Sequence, residues 1–369
     1  LGAIAGRQAW ADIQAIYGLD DLARVPQLLD IILHSLPTLK AGGHTATPGT
    51  LYLIYTEQWL NDPYLRLSEM QLAAQQVAVL LETLSTALWA RADKRLHYSD
   101  LARLVREYSP DLATGMNHER VDLELRTAAF LVRSSDGYYR FSHKSFLEFF
   151  IARRLWQIDA RGCAPEALAA ALDTTRLNPE TVSMLGDLLL ANQEPGAGER
   201  TAGYRQILNA TGELLAQPYR KDISENALLL RHYLIGHRDG HNGRKPPLPA
   251  DAWPAPPQLQ GADLGGLNLG GVDLRGAQLQ KADLRGCDLG FACLAGACLD
   301  EACLDKARLE SADCRGAHLQ RASLSEVSAT HAALHAVKAR DSVWINADLR
   351  QTQLHDADLS GADLRGARL

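Results

Sequence analysis

Two hydrophobic periods divide this chain. Through about the first 245 residues, apolar side chains recur at three- and four-residue steps; from Leu259 onward they recur every five. In LDDLARVPQLLDIILHSL the residues Leu22, Val25, Leu28, Leu29, Ile32, Leu33 and Leu36 fall on one helical face, with Pro26 in the first turn, where a missing N–H is tolerated. GTLYLIYTEQWL and EMQLAAQQVAVLLETLSTALWARA predict two more amphipathic helices, and SDLARLVREYS a further one with Ser99 as N-cap. Asp136-Gly137, between the β-formers AFLV and YYRFS, predicts a hairpin. The helix after it carries Phe146, Phe149, Phe150, Ile151 and Leu155. Helix, helix, helix, hairpin, helix is the order of a winged-helix unit. APEALAAAL, PETVSMLGDLLLAN, YRQILNATGELLAQ and SENALLLRHYLI continue the helical half, and the Pro-rich PPLPADAWPAPPQ reads as a semi-rigid linker.

Every fifth residue from Leu259 to Leu369 is leucine except Cys314, Ala329, Ala339 and Trp344. Two residues before most of these lies a small side chain, as at Ala262, Ala277, Ala282, Ala292 and Ala297. Neither the helical period nor the strand period produces this pattern. A square coil does, with five residues to a side and about twenty to a turn. Leucine and alanine then point inward, and successive coils stack at about 4.8 Å. The predicted bore holds Leu264, Leu269, Leu274, Leu279, Leu284, Leu289, Leu294, Leu299, Leu304 and Leu309, then Leu349, Leu354, Leu359 and Leu364. Ser325 to Asn346 departs most from the repeat, and its regularity is the weakest expectation. A buried leucine contributes about 2 kcal/mol, while ordering a residue costs about 1–2 kcal/mol. The solenoid therefore also requires alanine packing and a complete hydrogen-bond ladder between coils.

A length of 369 residues predicts two or three domains. The net charge of −6 excludes a phosphate-seeking polycation, and no apolar run is long enough to span a bilayer. The start, LGAIAGRQAW, has no signal-peptide character and predicts a chain that begins inside a longer protein. Five of the six cysteines fall between Cys287 and Cys314; a large chain with this usage reads as cytoplasmic and reduced. Cys293, Cys298 and Cys303 invite a metal reading. Their five-residue spacing, however, puts them on successive sides of the coil, and no two solenoid cysteines are twenty apart. Convergent ligands are absent from that pattern, so no metal is expected.

The repeats ADLGG, VDLRG, ADLRG, ACLDE, ARLES and ADLSG resemble the pentapeptide-repeat family, A(D/N)LXX. That resemblance implies a right-handed quadrilateral β-helix. YYRFSHKSFLEFFIARRL resembles the motif F-x-H-x-S-F-x-E-[FY] that closes the winged helix of NACHT-type NTPases of the STAND class, through Phe141, His143, Ser145, Phe146, Glu148 and Phe149. LARVPQLLDIIL looks like the Pro-bearing segment of their first helical domain, and ISENALLL like the end of their second helical region. In that family the winged-helix His contacts the β-phosphate of ADP and the helical-domain Pro lies against adenine, which the likeness carries to His143 and Pro26. A structural histidine at a strand–helix junction and a helix-starting proline are the simpler readings of the same residues. No Lys in the chain follows a Gly, so no P-loop exists here. ATP or ADP and Mg are expected only in a full-length protein that carries the nucleotide-binding domain.

The expected fold is multidomain: a mainly α half containing a winged helix, then the all-β solenoid. The divisions are 1–60 helical, 61–156 winged helix, 157–240 second helical, 241–258 linker and 259–369 solenoid. The expected function is regulation and recognition within a NACHT-type signalling NTPase, in bacterial antiviral defence, with the solenoid as sensor or spacer. No catalytic residue is expected in this chain, and the expected partner is a protein or a second copy, with neither nucleic acid nor membrane bound directly. RVDLELRTAAFLV, the candidate recognition helix, mixes Asp122 and Glu124 with Arg120 and Arg126 and lacks a basic stripe. Two alternatives stand. One is a DNA-mimicking topoisomerase inhibitor, although residues 259–369 carry 12 Lys or Arg against 15 Asp or Glu, a net of only −3. The other is the regulatory part of an enzyme whose catalytic domain lies beyond Leu369.

Overall fold

In the helical half, the apolar stripes read from the sequence become buried faces. The computed structural model describes residues 35, 37–38, 47–61, 72–108, 118–126, 130–159, 164–191, 202–237 and 255–369. Pro26, the stripe from Leu22 to Leu36 and most of the linker lie outside the described residues. α1 (Pro48–Asn61) buries Leu51, Tyr52, Trp59 and Leu60, and α2 (Ala74–Trp89) buries Val77, Leu80, Leu81, Leu84 and Leu88. The α2 start is held by the Gln76 side chain, which accepts the Ala73 N–H at 2.8 Å, one arm of a capping box.

The chain then forms β1 (Leu96–His97), a 3₁₀ turn (Tyr98–Asp100), α3 (Leu101–Tyr108), α4 (His118–Arg126), β2 (Leu131–Arg133), β3 (Tyr138–Phe141) and α5 (Lys144–Asp159). The three strands make one antiparallel sheet in the order β1-β3-β2, with Leu96 opposite Tyr139 and Leu131 opposite Phe141. Asp136-Gly137 makes the hairpin turn as expected. Gly137 has φ +87°, and a Cβ there would stand 2.9 Å from both His97 Nε2 and Tyr98 Cδ1. The expected N-cap at Ser99 is corrected. His97 caps the 3₁₀ turn with its ring, Nδ1 accepting the Ser99 N–H at 3.4 Å, and Ser99 lies inside that turn with its hydroxyl 2.7 Å from the same nitrogen.

Four further helices follow: α6 (Pro165–Leu172), α7 (Pro179–Ala191), α8 (Ala202–Ala216) and α9 (Lys221–His237). The described residues fall into two compact units, one within Leu1–Cys163 and Leu177–Gln206, the other within Ala164–Arg176 and Ile207–Leu369. In the first, α7 packs on α5 and α1. The α1–α7 approach needs a glycine: a Cβ on Gly49 would lie 2.6 Å from Asp187 Cβ, and the Gly49 N–H donates to Asp187 Oδ2 at 2.9 Å. No described helix is long and apolar enough to cross a membrane.

The second unit joins α6, most of α8 and α9 to a parallel β-helix. Bridges link each outward residue to the one twenty further on, from Gln258–Gln278 to Asp348–Arg368 without a break. Around Leu284 the ladder is complete. Asp283 N–H bonds back one coil to Ala262 O at 2.8 Å, Leu284 N–H forward to Cys303 O at 2.7 Å, and Cys287 N–H closes the turn onto Leu284 O at 3.1 Å. The third residue of each turn is left-handed, at glycines such as Gly276 and Gly286 (φ +65° and +62°) and at Lys281, Glu301 and Lys306 (φ +60°, +61° and +61°). A single positive φ at that place is the signature of a type II turn. The degenerate stretch keeps the ladder: Ser328, Ala333, Lys338 and Val343 all bridge to the next coil.

Leu264 through Leu309 and Leu349 are buried as expected. Leu354, Leu359 and Leu364, in the last of the described coils, are half-buried.

At its other end the β-helix docks on helices. Gln258 N–H donates to Leu215 O of α8 at 2.7 Å. Glu225 of α9, 2% exposed, accepts the Asp263 N–H at 2.9 Å, the Tyr219 hydroxyl at 2.6 Å and the Arg176 guanidinium at 3.2 Å. Its carboxylate stands where a preceding coil would supply a carbonyl, which satisfies an edge that would otherwise be open. Asn226 beside it donates to Leu172 O and Thr174 O, both at 3.0 Å, tying α6 to α9. Glu225→Gln keeps the shape but removes a charged acceptor from three donors, so it should cost about 1–3 kcal/mol. Chemical denaturation, with hydrogen exchange at the Asp263 and Leu264 amides, checks this; a loss under about 0.5 kcal/mol would mean the cap is ornamental.

Candidate functional site

The motif around His143 is first of all a piece of core. Phe141, Phe146, Phe149 and Phe150 are buried, with Phe130 and the α1 ring Tyr52. Tyr52 stacks on Phe149 at 5.6 Å and meets Phe146 edge-on at 5.1 Å, while Phe130 sits edge-on to Trp59 at 4.9 Å and to Phe150 at 5.5 Å. Such pairs add roughly 0.5–1.5 kcal/mol each beyond area burial. Glu148 is buried and accepts from Asn178 at 2.7 Å, with Lys144 at 3.7 Å; burial raises its carboxyl above the usual range. Arg153 of α5 forms a buried ion pair with Glu82 of α2.

His143 stands at the junction of β3 and α5, half-buried. Its Nδ1 accepts the Ser145 N–H at 3.2 Å and lies 2.8 Å from Ser145 Oγ. This is the N-capping arrangement seen at His97–Ser99, with a ring nitrogen in place of the usual side-chain oxygen. Burial, and then the charge of Lys144, lower the imidazole pKa, so the ring is neutral near pH 7. With Nδ1 an acceptor, the proton is on Nε2, which makes no hydrogen bond among the described residues. One N–H donor at a helix N-terminus suits a phosphate contact. A phosphate cradle needs more, and the chain has no Gly-Lys pair to supply it.

Asp122 and Glu124 of α4 are turned into the core. Asp122 accepts from Tyr139 OH at 2.8 Å, and Glu124 accepts the Leu72 N–H at 3.1 Å.

On the β-helix, Asp and Arg two residues apart point the same way and pair: Asp273–Arg275, Asp313–Arg315, Asp348–Arg350 and Asp363–Arg365 at 2.7 Å, and Asp283–Arg285 at 2.5 Å. The neighbouring guanidinium holds the carboxyls of Asp283, Asp313, Asp348 and Asp363 below the usual range, Asp348 at about 2. Cys287 and Cys314 point inward, and burial pushes both thiols up to about 12, so they are inert filler. Cys293, Cys298 and Cys303 face outward, each stacked on a residue other than cysteine: Asp313, His318 and Ser323. The twenty-residue register gathers unlike side chains rather than cysteine with cysteine. Cys298, Asp300 and His318 offer donor atoms all within 4.8 Å of one another. The same register stacks His335 on His355, ring centroids 4.6 Å apart and nearly parallel.

The model of the pentapeptide-repeat family matches eight copies within residues 258–290, 302–338 and 334–369. Comparison with curated proteins finds no match. Similar solved structures include a pentapeptide repeat protein (Rfr23) from the cyanobacterium Cyanothece 51142, 21% identical over 27% of this chain and 86% of that one, TM-score 0.24. A pentapeptide repeat protein from the Arabidopsis thaliana thylakoid lumen is 25% identical over 28% of this chain and 70% of that one, TM-score 0.22. QnrB1, a plasmid-mediated fluoroquinolone resistance protein, is 22% identical over 29% of this chain and 60% of that one, TM-score 0.22. The C-terminal region of this chain, from residue 258 to 369, is a pentapeptide-repeat domain of β-helical fold.

Proposed function

We propose that this chain is the regulatory and recognition part of a NACHT-type signal-transducing NTPase of the STAND class, acting in bacterial antiviral defence. In this reading β1 to α5 is its winged helix, and the pentapeptide domain is a right-handed quadrilateral solenoid that acts as sensor or spacer. The observation that carries the reading is the grip of α9 on the first coil. ISENALLL, the segment that resembles the family's second helical region, supplies Glu225 to Asp263 and Asn226 to α6. A load on the solenoid is thereby passed into the helical layer through buried, directional bonds rather than through a slack tether. The partner is a protein ligand or a second copy.

His143 is the residue proposed to face ADP in the full-length protein. Its ring is already oriented by Ser145, and Nε2 is the nitrogen left to donate. Loss of one such hydrogen bond to phosphate costs about 1–3 kcal/mol. ADP should therefore dissociate roughly tenfold faster or more from full-length His143→Ala than from wild type, while residues 1–369 alone show no micromolar ADP binding by calorimetry. Unchanged ADP retention in the variant would remove His143 from the reading.

The topoisomerase-inhibitor alternative has less support. A DNA mimic presents unpaired negative charge along its length, whereas here arginines on the same faces neutralise the repeat's aspartates.

A further inference from the structure

On one side of the β-helix the repeat inverts its own chemistry. At five places an outward Asp is followed two residues later by an Arg that pairs with it. At 298–300 the order is Cys, then Asp, and Asp300 forms no ion pair among the described residues. Its Oδ1 accepts the Gln320 N–H at 2.9 Å, which leaves Oδ2 3.5 Å from Cys298 Sγ. One coil on, His318 bridges Cys298, so an imidazole lies over the thiol and carboxylate. Gln280, one coil back from Asp300, donates to Gln278 Oε1 at 2.9 Å, and its own Oε1 is buried with no donor.

We propose that Cys298, Asp300 and His318 bind one divalent ion of the zinc class, with a fourth position open to water or to Gln280. Sulfur, imidazole nitrogen and carboxylate oxygen together suit zinc, and three protein ligands with an open place make a recognised coordination pattern. Donors on a tetrahedral zinc lie roughly 3.3–3.7 Å from one another. The 3.5 Å Cys298–Asp300 separation already meets this, and the 4.8 Å envelope closes with small side-chain rotations. Binding replaces the thiol proton: Cys–SH and M²⁺ give Cys–S–M⁺ and a released H⁺. Burial, with the Asp300 charge, raises the thiol's pKa, so without a cation the proton stays on sulfur.

Two neighbours sharpen the assignment. Cys303 repeats the pair geometry, 3.5 Å from Asp305 Oδ2, but meets Ser323 where Cys298 meets His318. Cys293 meets Asp313, whose carboxylate is held by Arg315. Lys338 opposes the ion: its Nζ is 3.2 Å from His318 Nε2, but the side chain is exposed and free to swing into solvent.

The test titrates the reduced full chain with Co²⁺, read by thiolate-to-cobalt charge-transfer absorption, then displaces Co²⁺ with Zn²⁺. One equivalent should bind. Cys298→Ser should abolish the band, and Asp300→Asn and His318→Ala should each weaken binding roughly ten- to a hundredfold. Cys303→Ser should leave binding unchanged, and Lys338→Gln should tighten it. Zn²⁺ should also shield Cys298, but not Cys303, from alkylation in the wild-type chain, a readout that needs no variant to fold. No band at stoichiometric Co²⁺, a band that survives Cys298→Ser, or equal protection of Cys298 and Cys303 overturns the site.

Discussion

Leu284→Asp should unfold the solenoid or come close to it, whereas Arg285→Asp, one residue away, should pass almost unnoticed. Leu284 is fully buried in the bore; its own N–H bonds Cys303 O one coil on, and the Asp283 N–H beside it bonds Ala262 O one coil back. A carboxylate there meets no donor and no cation; burying it costs several kcal/mol even when it takes up a proton, on top of the lost leucine packing. The sum, above about 4 kcal/mol, is a large share of what holds a typical domain together. Arg285 is exposed and pairs with Asp283 at 2.5 Å. An exposed pair is screened by solvent and contributes little, so its loss shifts the melt little. Ala282 is as buried as Leu284, and Ala282→Leu should cost about 1–3 kcal/mol by overpacking a bore with no slack. Thermal melts of the three variants decide the matter. Similar damage from Leu284→Asp and Arg285→Asp would sink the inward–outward assignment.

Trp344→Ala should cost about 3–5 kcal/mol, the range for a large buried aromatic. The indole stands at a leucine position and is among the largest fully buried side chains. It fits because the same coil is built around it. Ala329 and Ala339 replace two of the coil's leucines, and the small positions beside them are Val327 and Val337. Ser342, in an alanine place, accepts the Trp344 Nε1–H at 2.7 Å and passes its own hydrogen bond to Ala339 O. The indole N–H would otherwise be an unsatisfied donor in a dry bore. Ala339→Leu alone should be destabilising by overpacking, yet in the Trp344→Ala background it should restore part of the lost stability, giving a coupling of roughly 0.5–3 kcal/mol. Strict additivity of the two changes in chemical denaturation would show that the coil is not packed as a unit.

The Cys298 cluster shows why a site can be present in a sequence yet unread. The cysteines are five apart and face different sides of the coil, so cysteine spacing alone shows no metal site. The ligand that completes the group is twenty residues on, in a residue type that looks ordinary at an outward position. The signal was legible, since a coil of about twenty residues already implies that residue 318 lies over 298. His143 was legible as a motif member, but its capping bond to Ser145 depends on the backbone turn between β3 and α5. Glu225 was legible only as a member of ISENALLL; its capping role carried no signal, because a Glu in a helix reads as solvated until the coil it caps is laid beside it.

Sequence alone determined the solenoid. A five-residue period admits one way to point leucine and alanine inward, and the ladder follows because most backbone N–H groups of such a coil find a carbonyl one coil away and the rest close the turns. It also determined the hairpin at Asp136-Gly137, where only glycine accommodates the positive φ beneath Tyr98. Tertiary structure decided the rest, because the rest depends on distances between segments far apart in the chain. It placed Asp122 and Glu124 of α4 in the core rather than on a ligand-facing surface. It made the coil of Trp344 regular through volume exchanged among residues five and more apart, which no single repeat reveals. And it joined Arg176 and Asp263 around the buried Glu225, since only in the folded chain does the open edge of a first coil find its acceptor on a helix.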